Sequence, residues 1–478
     1  MKRFKNIILA IVIICLAGCG PQARGNAGAG SMPGNEFTES ASMEETEDID
    51  KDRDGGTVTE NAEAVSEAAK GRTVSADDEQ GAQDKGDEED ISLYEAITSE
   101  SGLGPDAIVG TAIGSSYFND SKVMNLIHEN YNALTLENEL KPDSMFNYRN
   151  AEYPAGSVHE EELNGEMIKV PTVDHKNADR MLDKILEWNL ENPDRPLKVR
   201  GHVLVWHSQT PEWFFREDYD INKPYVSKEV MDKRLEWYIK TMLEYYTGEG
   251  SRYKGLFYGW DVVNEAVSDA KGSYRTDTEG GSDKLDDPIH SSKSSWWHVY
   301  ESNEYLINAF RYANKYAAPE VDLYYNDYNE CNDLKMKGII NLLSAVKDDP
   351  QARIDGFGMQ GHYSLSQPSD KKFESCARKY LEVVDKVMIT ELDVKASSMY
   401  DGSEEMAVTE YEKQAEYLSS LYDAAKRIRA DGGDFAGIVT WGVVDKYSWL
   451  HSFTGKPQCP LLFDDNYERK PAFRAFTK

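Results

Sequence analysis

From residue 107 to residue 441 the chain alternates short apolar runs with longer stretches, and this alternation constrains its fold more than any other feature. The runs cover 107–114, 132–136, 198–206, 256–263, 321–325, 356–359, 387–390 and 436–441. Short continuous apolar runs, many of them β-branched, read as strands buried on both faces. Amphipathic stretches lie between them, for example at 177–189, 228–246, 304–316, 335–347 and 410–430. In the last, Tyr411, Ala415, Leu418, Tyr422 and Ala425 recur at helical spacing. Eight strands alternating with helices predict an α/β fold of the (β/α)8 barrel type, with residues 92–478 as one domain.

The run ends carry the chemistry. They bring Glu137 and Asn138, His202 with Trp206 and His207, Asn264 with Glu265, Asn326 with Asp327, Gln360 with His362, Glu391 with Asp393, and Trp441. A barrel gathers such ends on one face, where its active sites form. Two runs stop at a glutamate: Trp260-Asp261-Val262-Val263-Asn264-Glu265-Ala266 and Val387-Met388-Ile389-Thr390-Glu391-Leu392-Asp393. A carboxylate at the end of a buried strand is costly unless it is used. Two of them suit a paired-carboxylate mechanism, of which glycoside hydrolysis is the leading case.

Seven segments carry a resemblance to a known family. They are Thr135-Leu136-Glu137-Asn138-Glu139-Leu140-Lys141-Pro142-Asp143, Arg200-Gly201-His202-Val203-Leu204-Val205-Trp206-His207-Ser208-Gln209, the segment ending in Glu265, Tyr325-Asn326-Asp327-Tyr328-Asn329, Gly358-Met359-Gln360-Gly361-His362, the segment ending in Asp393, and Trp441-Gly442-Val443-Val444-Asp445-Lys446-Tyr447-Ser448-Trp449. In this order they resemble the glycoside hydrolase family 10 endo-β-1,4-xylanases, retaining enzymes on a (β/α)8 barrel. The resemblance runs from about residue 111 to 473. It implies Glu265 as general acid/base and Glu391 as nucleophile, with carboxyls about 5–5.5 Å apart. It also implies that Asn264 holds the sugar 2-hydroxyl and that His362 and Asp393 orient Glu391. Gln360 supports that network. Glu137, Asn138, Lys141, His202 and Trp206 are expected to grip the non-reducing xylose units, with His207 behind them. Trp441 and Trp449 resemble the aromatic walls over the reacting sugar, Trp449 crowding the space of a hexose hydroxymethyl. The implied substrate is xylan; no cofactor, metal or nucleic acid is expected, and the protein is expected to act as a monomer. A barrel cellulase or mannanase, and a glycan-capturing protein without activity, are the alternatives.

Leucine stands at position 140 where the family usually has methionine. Two segments, the acidic 150–167 and the Gly-, Ser- and Asp-rich 271–293, read as loop insertions, the second beside the leaving-group side of the cleft.

The N-terminus reads as an export segment. Lys2, Arg3 and Lys5 precede an apolar run from 7 to 16, too short to span a bilayer and charged in the order of a secretory signal. Leu16-Ala17-Gly18-Cys19 resembles the lipobox of bacterial lipoproteins, which implies a signal peptide of 1–18 and lipidation at Cys19. Two acyl chains on one cysteine suffice for stable anchoring. Gly20 follows, so no aspartate signals retention at the inner membrane; the expected location is the bacterial cell surface. Residues 19–91 are acidic and nearly free of aromatics, which predicts a disordered linker reaching roughly 45–50 Å. The formal charge of −32 argues against nucleic-acid binding. Of five cysteines, Cys15 leaves with the signal and Cys19 takes the lipid; Cys331, Cys376 and Cys459 allow one disulfide and no structural zinc.

Overall fold

Parallel strands cannot be joined by tight turns, so each needs a crossover that returns the chain to the same end. In this chain helices supply the crossovers. The computed structural model describes residues 91–147, 158–279 and 293–478. The signal segment, Cys19 and the linker up to residue 90 lie outside the described residues, as do parts of both expected insertions, 150–157 and 280–292.

Eight parallel strands close on themselves: β1 (Ile108–Ile113), β2 (Ala133–Leu136), β3 (Lys198–Trp206), β4 (Phe257–Asn264), β5 (Asp322–Asp327), β6 (Gly356–Met359), β7 (Lys386–Lys395) and β8 (Phe435–Thr440). β8 pairs with both β1 and β7, which leaves no free edge. The crossovers carry α1 (Ser121–Asn130), α2 (Lys176–Glu191), α3 (Lys228–Thr247), α4 (Glu304–Tyr316), α5 (Asp333–Lys347), α6 (Asp370–Leu381) and α7 (Glu404–Ala430). Their apolar stripes face inward; α2 buries Ala178, Met181, Leu182 and Ile185, one helical face. Side-chain caps start five of the seven, as where Asn332 Oδ1 accepts from Leu334 N at 2.9 Å and Lys335 N at 3.2 Å before α5. All eight expected runs are barrel strands.

Three differences have physical causes. β7 runs well past Glu391, because a short strand, His362–Ser364, adds to its far end and pairs Asp393 with His362. Within 150–167, the described residues form part of an antiparallel hairpin, His159–Leu163 with Glu166–Val170, rather than a loop. Asn164 and Gly165 turn it with φ of +53° and +85°, the signature of a tight hairpin turn. It rests on α3, where Trp237 Nε1 donates to Glu161 Oε2 at 2.9 Å and Asn164 Nδ2 to Glu236 Oε2 at 2.9 Å. Finally, Cys331, Cys376 and Cys459 are buried free thiols, so none of the three is in a disulfide.

Candidate active site

The C-terminal ends of the strands converge on one mouth, and every site residue expected from the barrel sequence stands there. Cys19 lies outside the described residues.

Glu391, 4 % exposed, lies within β7. Asn326 Nδ2, at the end of β5, donates to its Oε1 at 2.6 Å, and His362 Nε2 lies 3.2 Å from Oε2. His362 Nδ1 makes an ion pair with Asp393 Oδ2 at 3.0 Å, and the same oxygen accepts from Trp449 Nε1 at 2.8 Å. Burial pushes the Glu391 carboxyl up, but the His362 hydrogen bond and the charges of His202, His362 and Arg200 outweigh it and hold it at about 2. For His362, burial disfavours the charged ring, yet Asp393 and Glu391 raise it well above the usual imidazole range. The result is an ionised carboxylate beside an imidazolium.

Beneath them the barrel interior is charged. Arg200, fully buried, donates Nη2 to the Thr390 carbonyl at 2.9 Å. Its Nη1 lies 3.7 Å from Asp261 Oδ2, which also lies 2.7 Å from His202 Nδ1.

Glu265 is the first residue past β4, and its φ is +54°. A non-glycine residue in that left-handed region costs about 1–3 kcal/mol and persists only where its surroundings impose it. Trp206 Nε1 donates to Glu265 Oε2 at 2.8 Å and Gln360 Nε2 to Oε1 at 2.9 Å. The same Gln360 Nε2 donates to Asn264 Oδ1 at 3.2 Å, and Asn326 Nδ2 reaches that oxygen at 2.9 Å. A continuous chain of hydrogen bonds therefore joins the two carboxylates: Glu265, Gln360, Asn264, Asn326, Glu391. Both donors on Asn264 Oδ1 fix which way its amide faces.

Asn326 is the hub. Its Oδ1 accepts from Thr390 Oγ1 at 2.6 Å, so the amide is satisfied at both ends. Gly358 makes room for it; a Cβ there would lie 2.4 Å from Asn326 Oδ1. The sequence reading places Asn326 among the polar strand ends that carry the chemistry but gives it no role of its own.

The other expected contacts line the cleft beside β1 and β2. Tyr117 hydroxyl donates to Glu137 Oε2 at 3.1 Å, and burial raises the Glu137 carboxyl against the opposing charge of Lys141. Lys141 Nζ donates to Asn138 Oδ1 at 3.3 Å and Gln209 Oε1 at 3.0 Å, and stands 5.0 Å from the centre of the Trp206 ring. Trp441 meets His202 and His362 edge-on, with centroids at 5.5 and 6.2 Å; Trp449 meets His362 at 5.1 Å. His207 is half-buried behind the Trp206 ring, and desolvation, with the charges of Arg275 and Lys335, holds it well below the usual range.

The loop after β4 is not free. Arg275 Nε donates to the Glu265 carbonyl at 3.0 Å, and its Nη2 reaches Tyr328 hydroxyl at 3.3 Å. No spacing rule in a Gly- and Ser-rich loop points to this arginine; its contact depends on the path of the folded chain.

The arrangement provides one carboxylate held ionised, a second held by neutral donors, and flat indole surfaces above them. Comparison with known proteins bears on it directly. The model of glycosyl hydrolase family 10 matches residues 101–478. Endo-1,4-beta-xylanase Y of Acetivibrio thermocellus is 34% identical over 373 residues, 77% of this chain and 31% of that protein. The endo-1,4-beta-xylanase of Geobacillus stearothermophilus is 34% identical over 280 residues, 58% of this chain and 75% of that protein. A crystal structure of the CBM22-1 and GH10 modules of Clostridium thermocellum endo-1,4-beta-D-xylanase 10B, complexed with xylohexaose, superposes with a TM-score of 0.65 at 30% identity. It covers 82% of this chain and 68% of that one. The chain spans about a third of the length of the first two curated relatives it matches, at 31% and 32%. With the family match running across most of its length, the chain belongs to glycosyl hydrolase family 10.

Proposed function

We propose that the protein is an endo-1,4-β-xylanase that cleaves internal bonds of xylan with retention at the anomeric carbon. The observation that carries this reading is the hydrogen-bonded chain from Glu265 to Glu391 across one barrel mouth. Glu391, held ionised, attacks the anomeric carbon. Glu265 gives its proton to the departing glycosidic oxygen, then takes one from water as the covalent intermediate is hydrolysed. Asn264, its Oδ1 occupied by two donors, turns its other end toward the sugar 2-hydroxyl.

Glu137, Asn138, Lys141, His202 and Trp206 grip the non-reducing side, and Trp441 and Trp449 cover the reacting sugar. A steric wall separates xylose from glucose only modestly. Purified enzyme is tested on glucuronoxylan, arabinoxylan, carboxymethylcellulose and mannan, with product anomers followed by NMR. Internal cleavage of the xylans with the β-anomer formed first is the expected result. A preference for either hexan, or first formation of the α-anomer, overturns the reading. Glu265→Ala is expected to lose activity on xylan while keeping its binding.

We further propose that the protein works as a monomer at the bacterial cell surface, held by lipid on Cys19. Cys19→Ser is then expected to leave the membrane fraction with catalysis intact; a variant that stays with the membrane contradicts the anchor.

A further inference from the structure

We propose that Arg275 is a positioning residue that locks Glu265 in its left-handed backbone conformation, and so aims the acid/base carboxyl at the glycosidic oxygen. The inference rests on the assignment of Glu265 as acid/base.

The backbone around Glu265 is held on three sides. Its N–H donates to the Asn326 carbonyl at 2.9 Å, and its carbonyl accepts from Arg275 Nε at 3.0 Å. The next N–H, of Ala266, donates to Tyr325 hydroxyl at 3.0 Å. With φ at +54°, Glu265 leaves the strand direction just where its side chain must reach Trp206 and Gln360. A return to extended backbone swings the carboxyl away from both donors.

Arg275 is built for this grip. It is 5 % exposed, its own N–H donates to the Ala266 carbonyl at 2.7 Å, and Val267 bridges Tyr274 in antiparallel fashion. Residues 266–275 thus form a closed loop whose return arm holds both carbonyls at the strand end. The Gly- and Ser-rich segment acts as a strap on the catalytic strand. A second support is independent of it. The Tyr325 hydroxyl donates a hydrogen bond to Asp327 Oδ2, and Asp327 is paired with buried Lys335 at 2.9 Å.

A misplaced acid is felt only when the leaving group needs a proton, which separates positioning from general damage. Arg275→Ala, Arg275→Lys and Tyr325→Phe are compared with wild type on xylan and on 2,4-dinitrophenyl β-xylobioside, whose leaving group departs unprotonated. Arg275→Ala is expected to lose about 30- to 100-fold in kcat on xylan with KM within about threefold, since a displacement of about 1 Å has that scale. On the dinitrophenyl substrate its kcat/KM is expected to stay within about fivefold of wild type, because protonation of the leaving group is not part of that step. Arg275→Lys recovers part of the loss, and Tyr325→Phe shows the same pattern at smaller size.

A folded Arg275→Ala with wild-type kcat on xylan, or with equal losses on both substrates, overturns the proposal. Should Arg275→Ala fail to fold, Arg275→Lys decides: a wild-type ratio of the two activities overturns it, and a selective loss on xylan supports it. Wild type inactive on xylan is a separate outcome, which refutes the proposed function rather than the strap.

Discussion

Glu391 sits inside a strand that runs on to Lys395, whereas Glu265 stands just beyond the end of its own. Glu391 has regular backbone and charged neighbours: an imidazolium on one oxygen and an arginine beneath. Glu265 has left-handed backbone, and its carboxylate oxygens accept from an indole and an amide. One environment fixes a charge; the other fixes a place. That division is what a double displacement requires, since the attacking group must stay ionised while its partner cycles. Asn264, Asn326 and Gln360 tie the two regions together, so a shift in one reaches the other.

The comparison breaks most completely if Glu391 is removed. Glu391→Ala is expected to lower kcat on xylan by about 10⁴-fold or more, the scale seen when a nucleophile is deleted. Added azide is expected to restore turnover with an inverted glycosyl azide; a retained azide product would place the nucleophile elsewhere. Asn326→Ala strikes the bridge instead. It removes the donor 2.6 Å from Glu391 and one of the two donors on Asn264, and a loss of about 10²–10³-fold in kcat is expected. A loss below tenfold would show that the bridge matters to neither carboxylate.

The charge side of the comparison has a thermodynamic signature. A carboxyl held at about 2 in the fold, against an ordinary 4.5, contributes stability that is fully present above pH 4.5. That contribution is lost as pH falls toward 2, and over this window it amounts to about 3 kcal/mol. Glu391→Gln has no such group to protonate. Its stability in urea is expected to fall less steeply than that of wild type between pH 4.5 and 2, and parallel curves would remove the charge argument.

Much of this is legible in the sequence, and the limits are instructive. The eight strands read clearly because a parallel strand covered on both faces is a continuous apolar run. Both glutamates read clearly because each ends such a run. Helix α6 did not: of its residues only Phe373, Cys376, Ala377 and Tyr380 are buried, and charged residues surround them. The hairpin at 159–170 hid behind its glutamates, although Asn164-Gly165 is a strong turn signal. Asn326 was visible as a polar strand end, but its role depends on Thr390, Glu391 and Asn264 meeting across three strands. Arg275 was out of reach, since the groups it grips are backbone carbonyls, which have no sequence.

The finest test of the comparison acts on Glu391 through a neighbour's neighbour. Asp393 is opposite His362 in the strand register, and its charge is the main influence raising the imidazole against burial. In Asp393→Asn that charge is gone while an acceptor for Trp449 Nε1 remains. His362 then loses its proton at lower pH, and with the proton goes the cation that steadies Glu391. A histidine raised in the fold contributes stability below its ordinary 6.5 and loses it as pH rises through the folded value. Lowering the folded value therefore brings the alkaline loss of stability to lower pH. At the pH optimum the rate is expected to fall only about tenfold, as for a residue that acts through another. An alkaline loss of stability at the same pH as wild type would mean that His362 owes its charge to Glu391 alone, and the two carboxylates would then differ in position but not in how they are charged.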